Sequence, residues 1–409
     1  MRVSYKIKLV FILLYFIFIV SIERLYNKKL FNKSLEIIPK FQKSSKSFDF
    51  FWKFMTFFGT KLGIGSIYII LFLFIPLNKV FALTFLLLFT GYADHTLKLV
   101  YLQERPLWVN DEINTGNLHA CGYGNPSGHS LTSTCIYLSL WYIIYEIIDS
   151  KVINKKIGII LKYTTLILDI LIFSIIMISR FYLGVHSLNQ IIFGFSIGLG
   201  IFLLFFPILK IYQSSAIKFF EKQYSNRYKH LLFIILCIIF FNIFFFCRKD
   251  ISGVEKSVNW NKMCFDQKWN KLLIKGSFMG GMSIFIIFGM NIGLLINKNN
   301  FDKEFNAKED IIINWEKGKF TPRLIRLLFL LIGFIPIGII FLTNYLFDIS
   351  YIFYYIITPI IFFIGGFLSL GPCFFYGFKF ILRKYEISEI YPFNKDKDKM
   401  VDCSNEIFD

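Results

Sequence analysis

Charge is the first shortage in this chain. Lys and Arg number 45 and Asp and Glu 27 among 409 residues, so only 18% are charged, against about a quarter in an ordinary soluble domain. A water-exposed surface over most of the chain is therefore excluded. Cysteine is sparse too: there are seven, and no pair has the Cys-x2-Cys spacing of a metal motif. Cys135 and Cys237 stand inside apolar runs and read as core hydrophobes. Cys121 and Cys264 fall in loops expected on the same side, either as a disulfide or as unpaired thiols. No internal repeat is present. The net charge of +18 is spread between apolar segments rather than gathered into a basic module, which argues against a nucleic-acid partner.

Apolar residues fill the gap that charge leaves. They make up 56% of the chain, with 52 Phe, and point to many membrane spans. Ten apolar segments can be drawn, over residues 9–22, 62–77, 80–97, 131–148, 157–178, 188–209, 231–247, 276–296, 327–347 and 350–373. Most approach the roughly 20 residues that a helix needs to cross hydrocarbon. The first is short and follows Arg2, Lys6 and Lys8, the pattern of a signal peptide or a signal anchor. Residues 47–59, SFDFFWKFMTFFG, are too short to span and too aromatic for a loop, which fits a helix lying in the interface. Glu146 and Asp169 fall inside apolar segments, where a carboxylate is costly; Asp169 has Lys162 as a possible partner. The fold class expected is an all-α polytopic membrane protein of about ten helices.

Three short motifs lie just outside these segments in a fixed order. Residues 98–106 read KLVYLQERP, with Lys98 seven residues before Arg105 and then Pro106. Residues 126–129 are Pro-Ser-Gly-His. Residues 179–190 read SRFYLGVHSLNQ and carry Ser179, Arg180, His186 and Gln190. Alternating spans would bring all three to one face of the membrane. Two helical turns separate Lys98 from Arg105, so one helix would send both side chains from one face and end at Pro106. Ser127 and Gly128 suit a capped helix start whose backbone N–H approaches an anion. Gln190 is one turn beyond His186, so its amide oxygen can accept a ring N–H. Asp94 is an alternative acceptor, but one turn before Lys98 it more simply pairs with that lysine. His95 reads as a buried, hydrogen-bonded residue, and His119 as a loop residue near the site.

The order and spacing resemble the membrane branch of the type-2 phosphatidic acid phosphatase superfamily. Its pattern is Lys-x6-Arg-Pro, then Pro-Ser-Gly-His, then Ser-Arg-x5-His-x3-Asp. Lys98, Arg105, Pro106, Pro126, Ser127, Gly128, His129, Ser179, Arg180 and His186 fit it, over about residues 47–210. At the last position Gln190 replaces Asp, as in the glucose-6-phosphatase branch. The resemblance implies His186 as nucleophile, His129 as the acid that protonates the leaving alkoxide, and a phosphate site of Lys98, Arg105, Ser127, Gly128 and Arg180. It implies neither metal nor cofactor, because fixed cations and N–H groups would carry the charge.

The expected organisation is an anchor and luminal segment over 1–46, a six-helix phosphatase core over 47–210, further membrane helices over 211–380, and a cytoplasmic tail over 381–409. Motif loops hold few cations, whereas the opposite loops hold Lys151, Lys155, Lys156, Lys210, Lys218 and Lys222. By the positive-inside rule the motif face is luminal or extracellular, in an endomembrane such as the endoplasmic reticulum. Asn32-Lys33-Ser34 then forms a luminal glycosylation sequon. The function implied is hydrolysis of lipid phosphate monoesters through a phosphohistidine, with membrane lipids as surroundings. A short loop from Leu107 to Asn125, aromatic at Trp108, suits a lipid. A glucose-6-phosphatase-like sugar phosphatase is the alternative, supported by Gln190 and by Trp108 after Arg105-Pro106. A transporter or lipid scramblase is the non-enzyme alternative, supported by Glu146 and Asp169.

Overall fold

In the computed structural model the described residues are 5–74, 77–114, 120, 122–151, 154–214, 227–248, 278, 280–296, 327–328, 331–332, 335–339 and 351–370. They form an all-α membrane protein with no strand among them. The helices that build the site are α1 (Tyr5–Ser44), α2 (Asp49–Phe57), α3 (Lys61–Phe74), α4 (Leu77–Tyr101), the single turn α5 (Pro106–Val109), α6 (Gly128–Lys151), α7 (Lys155–Tyr182) and α8 (Leu188–Ser214). Further helices cover Arg227–Arg248, Ser283–Ile296 and Tyr351–Leu370.

Four described helices are long and apolar enough to cross a membrane, or five if the bent pair Lys46–Phe57 and Leu62–Leu71 is one span. The ten expected segments rest in part on residues outside the described set, including most of 327–347, as do Cys264 and His119. Two compact units are present, one of Met1–Ile70 with Leu77–Phe288 and one of Leu71–Pro76 with Gly289–Asp409. Within the second, Gly289 backs onto the carbonyl of Phe363 so closely that a Cβ would lie 2.1 Å from the oxygen.

The first apolar segment is not short. Instead of stopping near residue 22, α1 runs unbroken for 40 residues. The reason is a buried stripe that apolar runs do not reveal. Ile19, Glu23, Ser34 and Ile38 are buried, with Asn27 and Leu30 half-buried between them, at spacings of three and four that keep one face inward. Arg24, Lys28, Lys29, Lys33 and Lys40 occupy the exposed face. Part of the region expected as a luminal loop is thus helix packed on the bundle. Ser34 of the sequon is fully buried and its hydroxyl accepts from Leu188 N at 3.0 Å, while Asn32 is exposed on α1.

Small residues let α6 and α8 meet at backbone distance. Gly194 lies against Ser127, where an added Cβ would stand 2.5 Å from the Ser127 carbonyl oxygen, and Gly198 lies equally tight against the Leu131 carbonyl. Ser130, Ser133 and Thr134 complete this seam, all fully buried. Small residues four apart are a usual way for membrane helices to approach closely, because lipid supplies little apolar driving force between them. The residues expected as an interfacial aromatic helix form α2, whose Phe50 and Phe54 stack at 6.3 Å and are exposed, while Trp52 stacks on Tyr182 at 5.8 Å.

A Gly194→Ala substitution should therefore strain the seam and cost about 1–3 kcal/mol of stability. Gly65→Ala has no neighbour within 4 Å of the new methyl group and should remain within about 1 kcal/mol of wild type. Thermal unfolding of the two variants in detergent checks the contrast, and equal midpoints would remove the argument for backbone contact at Gly194.

Candidate active site

The three motif segments converge where α4 ends, α6 begins and α7 passes into α8. In the first, the expected continuous helix is absent. Residue Tyr101 ends α4, Leu102 turns the chain with φ of 48°, and Arg105 is extended at φ −95° and ψ 150°. Pro106 begins the short α5 instead of ending a helix. The physical cause is proline itself, which biases its predecessor to extended backbone and suits the first helical position. Lys98 and Arg105 thus approach the site from a helix and from a loop.

Arg105 is buried and spends its guanidinium on the chain around it. Its Nε donates to the Gly122 carbonyl, one Nη to Val185 O at 2.9 Å and the other to Tyr123 O at 3.2 Å. The Nη that reaches Val185 also stands 3.2 Å from His186 Nε2. Burial pushes the Arg105 pKa down to about 10, partly countered by the Asp94 carboxylate. Arg180 is 9% exposed; one Nη donates to Thr56 Oγ1 at 2.9 Å, and its buried Nε has no hydrogen-bond partner among the described residues. An unpaired buried guanidinium N–H is costly, and an anion bound there would satisfy it. Lys98 donates to Asp94 Oδ2 at 2.8 Å, the one-turn pairing expected from the sequence.

Ser127 precedes the first residue of α6, accepts the Ser130 hydroxyl at 2.9 Å, and gives its own N–H to Gln190 O at 3.0 Å. At Gly128 the neighbouring anionic group is Asp94, whose Oδ2 would stand 2.6 Å from an added Cβ. His129 is half-buried in the first turn of α6, beside Gly59 of the α2–α3 turn, whose added Cβ would meet its ring at 3.0 Å.

His186 is 2% exposed and its two ring nitrogens face opposite kinds of partner. Nδ1 lies 2.9 Å from the Gly124 carbonyl and 3.2 Å from Gln190 Oε1, both acceptors. Nε2 faces the Arg105 donor. A guanidinium has no lone pair to offer, so the proton belongs on Nδ1 and Nε2 keeps its lone pair toward the cations. Burial lowers the His186 pKa well below 6.5, and Arg105, Arg180, Lys98 and His129 lower it further, in that order.

Several neighbours were not singled out by the sequence reading. The Gly124 carbonyl could not be read from sequence, because every residue carries one. Thr56, Asn27 and Glu23 come from helices remote in the chain, Glu23 Oε1 accepting Asn125 Nδ2 at 2.8 Å. Gln103 and Asn189 are inside the motif segments, and their amide character was the available signal. Other expectations are corrected by the packing. Trp108 is buried in the cluster with Leu107, Tyr123 and Val185, and its Nε1 donates to Ala120 O at 3.0 Å, so its ring is spent on core packing. Lys162 sits 4.0 Å over the Tyr145 ring, and Asp169 Oδ2 is buried with no hydrogen-bond partner among the described residues. His95 packs on Gly280, leaving no room there for a Cβ.

Fold and site together define an all-α membrane protein with a buried cluster of cations around a neutral histidine. Residues 79–213 match the PAP2 superfamily. The chain is also similar to phosphatidylglycerophosphatase B of Bacillus subtilis (strain 168), 32% identical over 87 residues. Those residues are 21% of this chain and span 39% of the relative's length. No solved structure matches significantly.

The lowered His186 pKa has a direction for stability. Below about pH 6.5 the unfolded chain binds a proton that the folded site refuses, so this stabilising contribution is present above that value and is lost as pH falls toward the folded pKa. Wild type should lose more thermal stability between pH 7.5 and 5.5 than His186→Gln in the same detergent. An equal loss would mean that His186 is not held neutral.

Proposed function

We propose that this chain is an integral-membrane phosphatase that hydrolyses lipid phosphate monoesters without metal, through a phosphohistidine on His186. The observation that carries the proposal is the sorting of partners at His186, with acceptors on Nδ1 and cations on Nε2. An imidazole so held is neutral, fixed in one tautomer and directed at the place where an anion would sit. The PAP2 segment supports phosphatase chemistry, and the name of the Bacillus relative supports a lipid phosphate as substrate class.

In this reading the phosphate dianion lies among Lys98, Arg105 and Arg180, and its charge replaces the missing partner of Arg180 Nε. His186 Nε2 attacks phosphorus in line and forms the N–P bond as the ester P–O bond breaks. His129 gives the leaving alkoxide its proton. The positive charge that develops on the His186 ring is stabilised by Gly124 O and Gln190 Oε1 through Nδ1–H. His129, now neutral, takes a proton from water; the hydroxide attacks phosphorus, the N–P bond breaks and inorganic phosphate leaves. Cations and N–H groups supply the charge that a metal ion would otherwise supply.

The phosphatase core proposed is residues 47–210, with the N-terminal 1–46 docked on it, accessory helices over 211–380 and a tail over 381–409. The charge bias of the loops supports a luminal or extracellular site, in an endomembrane.

Purified protein incubated with phosphatidate, phosphatidylglycerophosphate, a sphingoid phosphate, an isoprenyl diphosphate and glucose-6-phosphate should prefer a lipid monoester and keep its activity in excess chelator. His186→Ala should lose activity and trap no phosphoenzyme. Loss on chelation with recovery on adding Mg²⁺ would sink the metal-free mechanism, and preference for glucose-6-phosphate would replace the substrate class. Gln190→Ala should lower kcat by about 10²-fold, the lower end for an orienting or proton-handling group. Full activity in that variant would leave Gly124 O as the sufficient acceptor.

A further inference from the structure

We propose that Gln103 and Asn27 are positioning residues that lock the Gln190 amide with its oxygen toward His186. The proposal rests on the nucleophile role proposed above. A carboxylate offers an acceptor whichever way it turns. A primary amide offers an acceptor on one edge and a donor on the other. Turned over, Gln190 would set an N–H against the N–H of His186 Nδ1, so the chain's departure from Asp at this position creates an orientation problem.

The hydrogen bonds behind Gln190 solve it in one direction only. Gln190 Nε2 donates to Glu104 O at 2.7 Å and to Gln103 Oε1 at 3.3 Å. Ser187 N donates to Gln190 Oε1 at 3.3 Å, on the same edge that faces His186. Gln103 is held with Oε1 toward Gln190 because its Nε2 donates to Asn27 Oδ1 on α1 at 2.5 Å. Asn189 adds a second tie. Its Nδ2 donates to both Asn27 Oδ1 and Gln103 Oε1, at 3.0 and 2.9 Å, while its Oδ1 accepts the Ser187 hydroxyl at 2.6 Å. Reversing any one amide would set donor against donor or acceptor against acceptor. Gln190 and Asn189 are fully buried, and Gln103 and Asn27 half-buried beside them. Asn27 also lies outside the segment 79–213 that matches the superfamily, which gives α1 a role at the site beyond packing.

Coupling between positions tests this. Gln103→Ala should lower kcat on phosphatidate by about tenfold or more in wild type, with KM within about twofold. In the Gln190→Asp background the same change should cost less than about threefold, because a carboxylate has no wrong orientation. Equal fractional losses in both backgrounds, or no loss in wild type, would overturn the proposal. If Gln190→Asp fails to fold, Asn27 decides. Asn27→Asp keeps the acceptor and should retain most activity, whereas Asn27→Leu, of similar size, should lose about tenfold at matched thermal stability; equal activities would overturn the proposal. His186→Ala separates the two ideas. Inactive, it leaves the nucleophile reading standing whatever Gln103 does; active, it overturns both.

Discussion

Everything at the site depends on how closely α6 and α8 approach. At Gly194 the α8 backbone touches the backbone of Ser127, and at Gly198 it touches that of Leu131. Side chains of ordinary size would hold the helices apart by the thickness of a methyl group or more. Ser127 N would then lose its bond to Gln190 O, and the start of α6 would no longer be tied to the start of α8. In a lipid surround such contact is stabilised by packing and hydrogen bonds rather than by burial of apolar surface, so small residues along the seam are the condition for the site to exist.

The seam encloses an electrostatic conflict. Arg105 and Arg180 are buried close enough to act on one another and on His186, and the Asp94 carboxylate offsets part of the charge of Arg105. Burying positive charge without full compensation is costly. The chain meets part of that cost with backbone carbonyls on Arg105 and with Thr56 on Arg180, and keeps His186 neutral. Among the described residues Arg180 Nε is left without a hydrogen-bond partner. An anion entering between the two guanidinium groups would relieve this conflict.

The N-terminal helix shows how far a sequence can mislead about what belongs to a site. Its buried stripe contains Glu23, Asn27 and Ser34, residues that lower the hydrophobic signal at the very positions facing inward. Read as apolar runs, α1 ends near residue 22; read as a stripe with period 3.6, it continues to Ser44. Those same polar residues reach Gln103 in the first motif segment, Asn125 just before the second, and Leu188 and Asn189 in the third. Trp108 misleads in the opposite sense, since a tryptophan in a short loop suggests a ligand contact and here fills the core beneath the site.

By itself the sequence determined the class and the chemical alphabet of this protein. Apolar length dictated membrane helices, because a lipid-exposed backbone must satisfy its own hydrogen bonds. The one-turn spacing dictated the pair of Lys98 with Asp94, because residues four apart share a helix face, whereas His186 meets Gln190 from the bend that precedes α8. Tertiary structure alone decided that Arg105 leaves a loop rather than α4, that the Gly124 carbonyl reaches His186 Nδ1 before Gln190 does, and that α1 stands behind the site. These follow from a proline that breaks a helix, a backbone oxygen common to every residue, and contacts between positions 76 to 162 residues apart. No local pattern encodes such contacts, because their energy exists only once the helices have packed.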